Sequence, residues 1–465
     1  MSPFRGTLHP ADKRVRDRAL SLGRLGELSS FGGHTPTALR RHDWRDAATQ
    51  RFAQKSSRDG SDRMSLTYSM RSAMIALIAL TLSAVQAFAQ SLPGVTDTEI
   101  RVGQTNSYSG PLSLFGTTGQ AMSAYFDKIN AEGGINGRMI RFISLDDAFS
   151  PPKTVEQTRK LIESEEVLLV AGSLGTAGNI AVQKYLNGRN IPQLLVQSGS
   201  SAFNDPARNK WSTPGLLGYE AEARAFARYI LSTNAKAKVG VLRQNDDFGR
   251  DYMKGMKTVL SGVHEGMIVA VEAYEVTSPT VDSEVIRLKA SGADTIVIAA
   301  TGRTAAQTIR KIHELGWRPT ILLTYISNSI SAVMKPAGLE ASTGVVTTEF
   351  LKDPGDGTWK NDPDVIAYRA WMAKYFKPGN VDEKLNASAY TTAQMLVDIL
   401  RRCGGDLSRE NVLKQAVSIQ GTFPMLLPGI QVSSSDADRS LFKKLQFRRF
   451  DGERWAPIDE LISAE

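Results

Sequence analysis

The sequence predicts an α/β protein of two lobes, each a parallel-dominated sheet flanked by helices. Three observations lead there. Short apolar runs alternate with amphipathic helical segments from Thr98 onward, and strand, helix, strand at this spacing implies right-handed crossovers and parallel pairing. The alternation restarts after Pro214-Gly215, which divides it into two series. Some runs, DTIVIAAT at 294–301 above all, are apolar without alternation, as strands covered on both faces are.

In order, IRVGQT (100–105) reads as the first strand. The helix after it places Met122, Tyr125, Phe126 and Ile129 on one face and stops at Gly133-Gly134, a C-cap signal. MIRFISL (139–145) is a strand, a helix follows Pro151-Pro152, and VLLVAG (167–172) is a third strand; a helix over 179–187 and a strand over 193–197 close the series. The second series opens with a helix carrying Ala223, Phe226, Ala227 and Ile230 inward. KVGVLRQ (238–244), a helix over 249–260 and MIVAVEAY (267–274) follow. After Pro279 a helix presents Val281, Val285 and Leu288; the strand 294–301, a helix with Ala305, Ile309 and Ile312, and TILLT (320–324) complete it. Helices near 363–376, 386–403 and 408–418 come next, and 421–455 reads as less regular, with Pro424, Pro428 and three consecutive serines from Ser433.

Upstream lies a segment of another kind. MRSAMIALIALTLSAVQAFA, Met70 to Ala89, joins a basic start at Arg71, an uncharged apolar run over 73–85 and a small-x-small site at Ala87-Phe88-Ala89, the three ordered parts of a secretory signal. The run is shorter than the roughly 20 residues a membrane span needs, and no cysteine follows it for lipid attachment. Cleavage is expected near Ala89-Gln90, with the mature protein in the periplasm. Residues 1–69 carry 11 Arg and 2 Lys against 6 Asp and 1 Glu without an apolar period, so this extension is expected to be disordered. An export signal works at an N-terminus, so translation is read as starting at Met64 or Met70. Of the net charge of +8, this segment carries +6 and Arg71 a further +1, which leaves the mature part near +1 and removes the case for a nucleic-acid surface.

Composition excludes several chemistries. About 375 residues remain after processing, enough for two cores. The single cysteine, Cys403, sits in an apolar helical run and cannot form an internal disulfide, and only His264 and His313 lie in the mature part. No metal site, cofactor or thiol chemistry is expected from that set. No phosphate loop, nucleophile elbow or H-E-x-x-H occurs, and Gly172, Gly175 and Gly178 have the wrong spacing for a dinucleotide turn. Asp146-Asp147 and Asp246-Asp247 stand at strand ends; they read as caps and loop braces rather than as a hydrolytic pair, so no catalytic residue is assigned.

Two loops stand out. GSLGTAG (172–178) joins a strand to a helix with almost no side-chain bulk, and QSGSSAFND (197–205) is rich in hydroxyls. Small residues let a ligand approach the backbone, helix-start N–H groups attract an anion such as a carboxylate, and serines add donors. Two ordinary surface turns would have the same composition.

Together with YSGPLSLFG (108–116), INAEGGINGR (129–138), DDAFSPPKTVEQTRKLI (146–162), VAGSLGTAGN (170–179), IPQLLVQSGSSAFND (191–205) and VGVLRQNDDFGRDY (239–252), these loops make the chain resemble the branched-chain amino-acid type of substrate-binding protein from ABC importers. The resemblance covers about 95–450. It implies the type I periplasmic binding fold, with two lobes joined by three hinge crossings. Lobe 1 is expected to combine 95–216 with 347–420, and lobe 2 to combine 217–346 with 421–465, the tail partly returning to lobe 1. It also implies a ligand carboxylate on Gly175, Thr176 and Ala177 and on Ser198, Gly199 and Ser201, aromatic contacts from Phe115 and Phe248, and further contacts from Thr301 and Tyr325.

The chain departs from that pattern in two places. Amino-acid binders of the family carry an acid after the strand equivalent to 320–324, where this chain has Tyr325. A buried ammonium without a counter-charge is costly, so the expected ligand is an aromatic or apolar carboxylate. A hydrophobic amino acid requires another acid, Asp246 or Asp247. Phe149 and Gly175 stand where some relatives have a disulfide. The resemblance further implies capture by hinge closure without chemistry, delivery to permease subunits in the inner membrane, and a monomer. A periplasmic sensor that presents its ligand to a membrane receptor is the alternative.

Overall fold

The computed structural model describes residues 92–464; the basic extension, the expected export signal and its cleavage point lie outside the described residues. The first series forms a five-stranded, all-parallel sheet in the order β2-β1-β3-β4-β5. Its strands are β1 (Glu99–Asn106), β2 (Met139–Asp146), β3 (Leu169–Ala171), β4 (Gln193–Val196) and β5 (Ser212–Pro214). The crossovers are α1 (Gly116–Ala131), α2 (Pro151–Glu163) and α3 (Thr176–Gly188). Met122, Phe126 and Ile129 of α1 are buried, as their spacing requires.

The second series begins with α4 (Tyr219–Thr233) and continues β6 (Val239–Gln244), α5 (Asp247–Val259), β7 (Ile268–Tyr274), α6 (Asp282–Ala290), β8 (Thr295–Ala299), α7 (Gly302–Glu314), β9 (Thr320–Leu323) and β10 (Val346–Glu349). These strands pair in parallel in the order β7-β6-β8-β9-β10, and every residue of β8 is buried. The chain then returns to the first lobe. α8 (Pro363–Tyr375) and α9 (Lys384–Arg402) pack on α1, where the Tyr390 ring meets Tyr125 edge-on at 5.1 Å and Trp371 at 4.7 Å. α10 (Arg409–Val417) and a two-stranded ribbon of β11 (Gln420–Gly421) and β12 (Val432–Ser433) follow. Cys403 ends α9 as a buried thiol.

Three strands were not legible as such. β13 (Lys444–Phe450), β14 (Trp455–Pro457) and β15 (Ile462–Ser463) extend the second sheet antiparallel; β13 lies in the stretch 421–455 that reads as less regular, and the other two run past its end. Arg448-Arg449 hides the alternation, yet the Arg448 guanidinium is buried and donates to the Trp455 carbonyl at 3.0 Å. Likewise β10 lies in the second sheet, so the lobe boundary expected at 347 falls inside one of its strands. The chain therefore passes between the lobes after β5, after β10 and before β13. The second passage is reinforced: Lys352 N donates to Met425 O at 2.8 Å and Leu427 N to Phe350 O at 3.0 Å.

Close helix packing carries the first testable consequence. A Cβ on Gly255 of α5 would lie 2.5 Å from the Glu220 carbonyl oxygen and 2.7 Å from the Ala223 Cβ of α4. Overpacking costs about 1–3 kcal/mol, more than the helix-propensity gain of up to about 1 kcal/mol. Gly255→Ala is expected to lower the urea midpoint at unchanged slope; a raised midpoint would show that the helices part freely.

Candidate ligand site

Residues following β1, β3 and β4 of one sheet and β6, β8 and β9 of the other line a single cavity of about 80 Å³. One end is polar. Gly175 precedes α3 at φ +89°, no side chain caps that helix, and its first N–H groups have no intrahelical partner. The Thr176 hydroxyl lies 2.8 Å from that of Ser198. The Tyr219 phenol joins them: burial pushes its pKa up, against the hydrogen bonds of Ser198 and Thr176. Three hydroxyls thus converge at the start of a helix.

The adjoining wall is apolar. Leu112, Phe115 and Leu174 form a buried cluster with Phe149, Ile326 and Leu385 around it. Phe248 closes the side with its ring edge-on to Tyr219 at 4.8 Å. From the second sheet, Gln244 organises a polar wall: its amide donates to Asp246 Oδ2 at 2.6 Å, and its carbonyl accepts from Tyr274 Oη at 3.0 Å and from Thr301 Oγ1 at 3.2 Å. Asp246 also caps α5 through the Gly249 N–H, and burial raises its pKa.

Of the residues expected from the sequence, the structure gathers Phe115, Gly175, Thr176, Phe248, Thr301 and Tyr325 around this cavity. The other four stand outside it. Ala177 faces an adjoining outer cavity. Ser198 is fully buried behind Thr176, and Gly199 lies under the passage to the second lobe, where a Cβ would meet the Leu217 carbonyl at 2.1 Å. Ser201 begins a short 3-10 turn capped by Ser200, which carries its hydroxyl out to solvent. Tyr325 contributes its ring alone, because its hydroxyl donates to Leu217 O at 2.6 Å.

The paired acids brace loops. Asp146 accepts from the N–H groups of Tyr108, Ser109 and Ala148, Asp147 from Phe149 N and Thr154 Oγ1, and Asp247 pairs with the exposed Arg250. Sequence reasoning missed Tyr219 and Lys384. Tyr219 had a signal, an aromatic residue directly after Pro214 to Gly218 at a helix start. Lys384 had none; it arrives from α9 and lines the cavity with its charge already matched by Glu349 at 2.6 Å.

A family model described as periplasmic binding protein matches residues 99–453. Among curated relatives, a Leu/Ile/Val-binding protein homolog 7 of Brucella abortus is 24% identical over 260 residues, 53% of this chain and 62% of the relative, so the match spans under two thirds of that protein. An amino acid binding protein of Pseudomonas aeruginosa is 23% identical over 66% of this chain and 80% of its own. Solved structures share the fold, two of them as examples. A branched-chain amino acid ABC transporter protein from Thermus thermophilus with bound valine superposes with a TM-score of 0.71 at 18% identity, over 79% of this chain and 97% of its own. A fatty acid ABC transporter substrate-binding protein from Thermomonospora curvata gives 0.65 at 19% identity, over 80% and 94%.

Proposed function

Because this chain belongs to the periplasmic binding protein family, whose members work outside the cytoplasm, we propose that it captures a small carboxylate with an apolar body between its lobes and delivers it to the permease of an ABC importer. It does so as a monomer in the periplasm, exported by the 70–89 signal and cleaved near Ala89-Gln90. The observation that carries this reading is the make-up of the cavity wall: uncapped amides and the hydroxyls of Thr176 and Tyr219, backed by the buried Ser198, beside the apolar cluster of Leu112, Phe115 and Leu174. The helix dipole and its free N–H groups favour an anion there. The apolar end favours a body that gains from leaving water. Lobe closure over the docked ligand then shifts the population toward the closed form.

Asp246 favours a second reading, a hydrophobic amino acid. Its carboxylate lines the cavity, and the cavity's lysine is neutralised by Glu349, so an ammonium would find a counter-charge. Calorimetry with leucine and with 4-methylpentanoate, the same skeleton without the amine, separates the two. The first reading expects the plain acid to bind at least as tightly. Tighter leucine binding, lost in Asp246→Asn, establishes the second. In either case Thr176→Ala is expected to weaken binding by about 1–3 kcal/mol, whereas Ser201→Ala leaves it unchanged. Equal affinity of Thr176→Ala and the wild type would remove the anion from this end.

A further inference from the structure

Beside the inner cavity lies a larger outer one of about 260 Å³, and the two share Phe149, Leu174, Gln244 and Asp246 as walls. Resting on the carboxylate reading above, we propose that the Phe149 ring is the partition that sets the longest ligand the inner cavity accepts. Three of the shared walls are held by their own elements. Leu174 is tied through its N–H to Thr105 O at 3.1 Å, and Gln244 and Asp246 hold one another in the second lobe. Phe149 adds to them an aromatic ring that packs directly on Gly175.

The ring is pinned from two directions. It lies so close over Gly175 that a Cβ there would fall 2.5 Å from Phe149 Cε2, and Gly175 is itself the residue before α3. Its backbone is held in the left-handed region, Ala148 at φ +51° and Phe149 at φ +57°, a conformation that costs roughly 1–2 kcal/mol per non-glycine residue. Two aspartates enforce it: Asp146 Oδ1 accepts from Ala148 N at 3.0 Å and Asp147 Oδ1 from Phe149 N at 2.9 Å. Thr154 Oγ1 steadies Asp147 from the other side at 2.8 Å. This turn directs an aromatic ring over Gly175, into the wall that the two cavities share. A chain that grows beyond the Phe115 and Leu174 cluster meets that ring. Without it, the chain would continue into the outer cavity along Pro151 and Val276.

Calorimetric titration with straight-chain carboxylates from butanoate to decanoate tests the partition. Wild type is expected to show an affinity optimum at a short chain and a decline beyond it. Phe149→Gly, chosen because glycine adopts φ +57° without strain, is expected to keep gaining about fourfold per added methylene, the gain that burying a CH₂ corresponds to, for about two more carbons. Phe149→Trp should move the optimum to shorter chains, and melting curves confirm that each variant is folded. An unmoved optimum in both folded variants overturns the partition and leaves the carboxylate reading standing. Failure of wild type to bind any acid in the series overturns both.

Discussion

Replacing Lys384 with methionine is expected to lower the stability of the ligand-free protein by about 3–5 kcal/mol, the cost of leaving a buried charge without its partner. Lys384 sits in the first turn of α9, and its ammonium donates to both oxygens of Glu349, at 2.8 and 2.6 Å, and to Asn328 Oδ1. Glu349 ends β10 and is 3% exposed. Its carboxylate also accepts from Phe350 N, Leu351 N and the Asn328 amide, so the side chain cannot swing to water. Asp353, pushed up to about 7 by burial and held down in part by Lys384, stands close by. Losing the ammonium leaves two acids facing each other across the second passage. Urea denaturation reads the loss, and Glu349→Gln in the same background should recover about 2 kcal/mol or more as coupling. A loss below about 1 kcal/mol would mean that the pair is solvated in solution.

The second large effect is pH-dependent and belongs to Glu222. This residue of α4 is fully buried, and its carboxylate accepts from Tyr252, Thr324 and Thr348 hydroxyls and from Tyr325 N. Burial raises its pKa to about 7, against those four donors. Below its ordinary value of 4.5 the carboxyl is protonated in both states and adds no pH dependence. Between there and about 7 the unfolded chain releases a proton that the folded chain keeps, so stability falls as pH rises. Above about 7 both forms are ionised and the loss stays constant, at roughly 3 kcal/mol. Glu222→Gln removes that slope. Asp353 and Asp251, raised to about 7 and about 6 by burial, add slopes of the same sign in both proteins, so the difference between the two isolates Glu222. Denaturation midpoints measured in steps from acid to alkaline pH should converge below the ordinary carboxyl range and diverge toward neutrality. Parallel curves would show that Glu222 titrates as a solvated acid.

The architecture was legible wherever one local pattern decided it. β6 and β8 are apolar runs of strand length, and the face of α1 is set by residues three and four apart. Boundaries failed where a special backbone intervened. α3 starts at Thr176, three residues before its expected start, because Gly175 supplies the turn without a capping side chain. β13 failed because Arg448-Arg449 interrupts its apolar alternation, although Arg448 is buried and satisfied by the Gln446 side chain and the Trp455 carbonyl of the adjoining strand, which spacing cannot reveal. The site divides the same way. Gly175 and Thr176 announce themselves as a bulk-free loop between strand and helix. Ser201 belongs to the same kind of loop, but the 3-10 turn after Ser200 rotates it away. Lys384 reaches the cavity through tertiary packing alone, whereas Tyr219 stands at a helix start that the glycines before it mark.

The doubled strip beside the second passage bears on how the two halves move. Where the polypeptide leaves the second sheet, Phe350–Lys352 does not travel singly; it is stitched to Met425–Leu427 running the opposite way. A pair of laced ribbons flexes across its flat side and resists being twisted or slid along its length. Under the proposed function, such a strip favours a swing about one axis, as a book opens on its spine, with cargo entering and departing along the fore-edge.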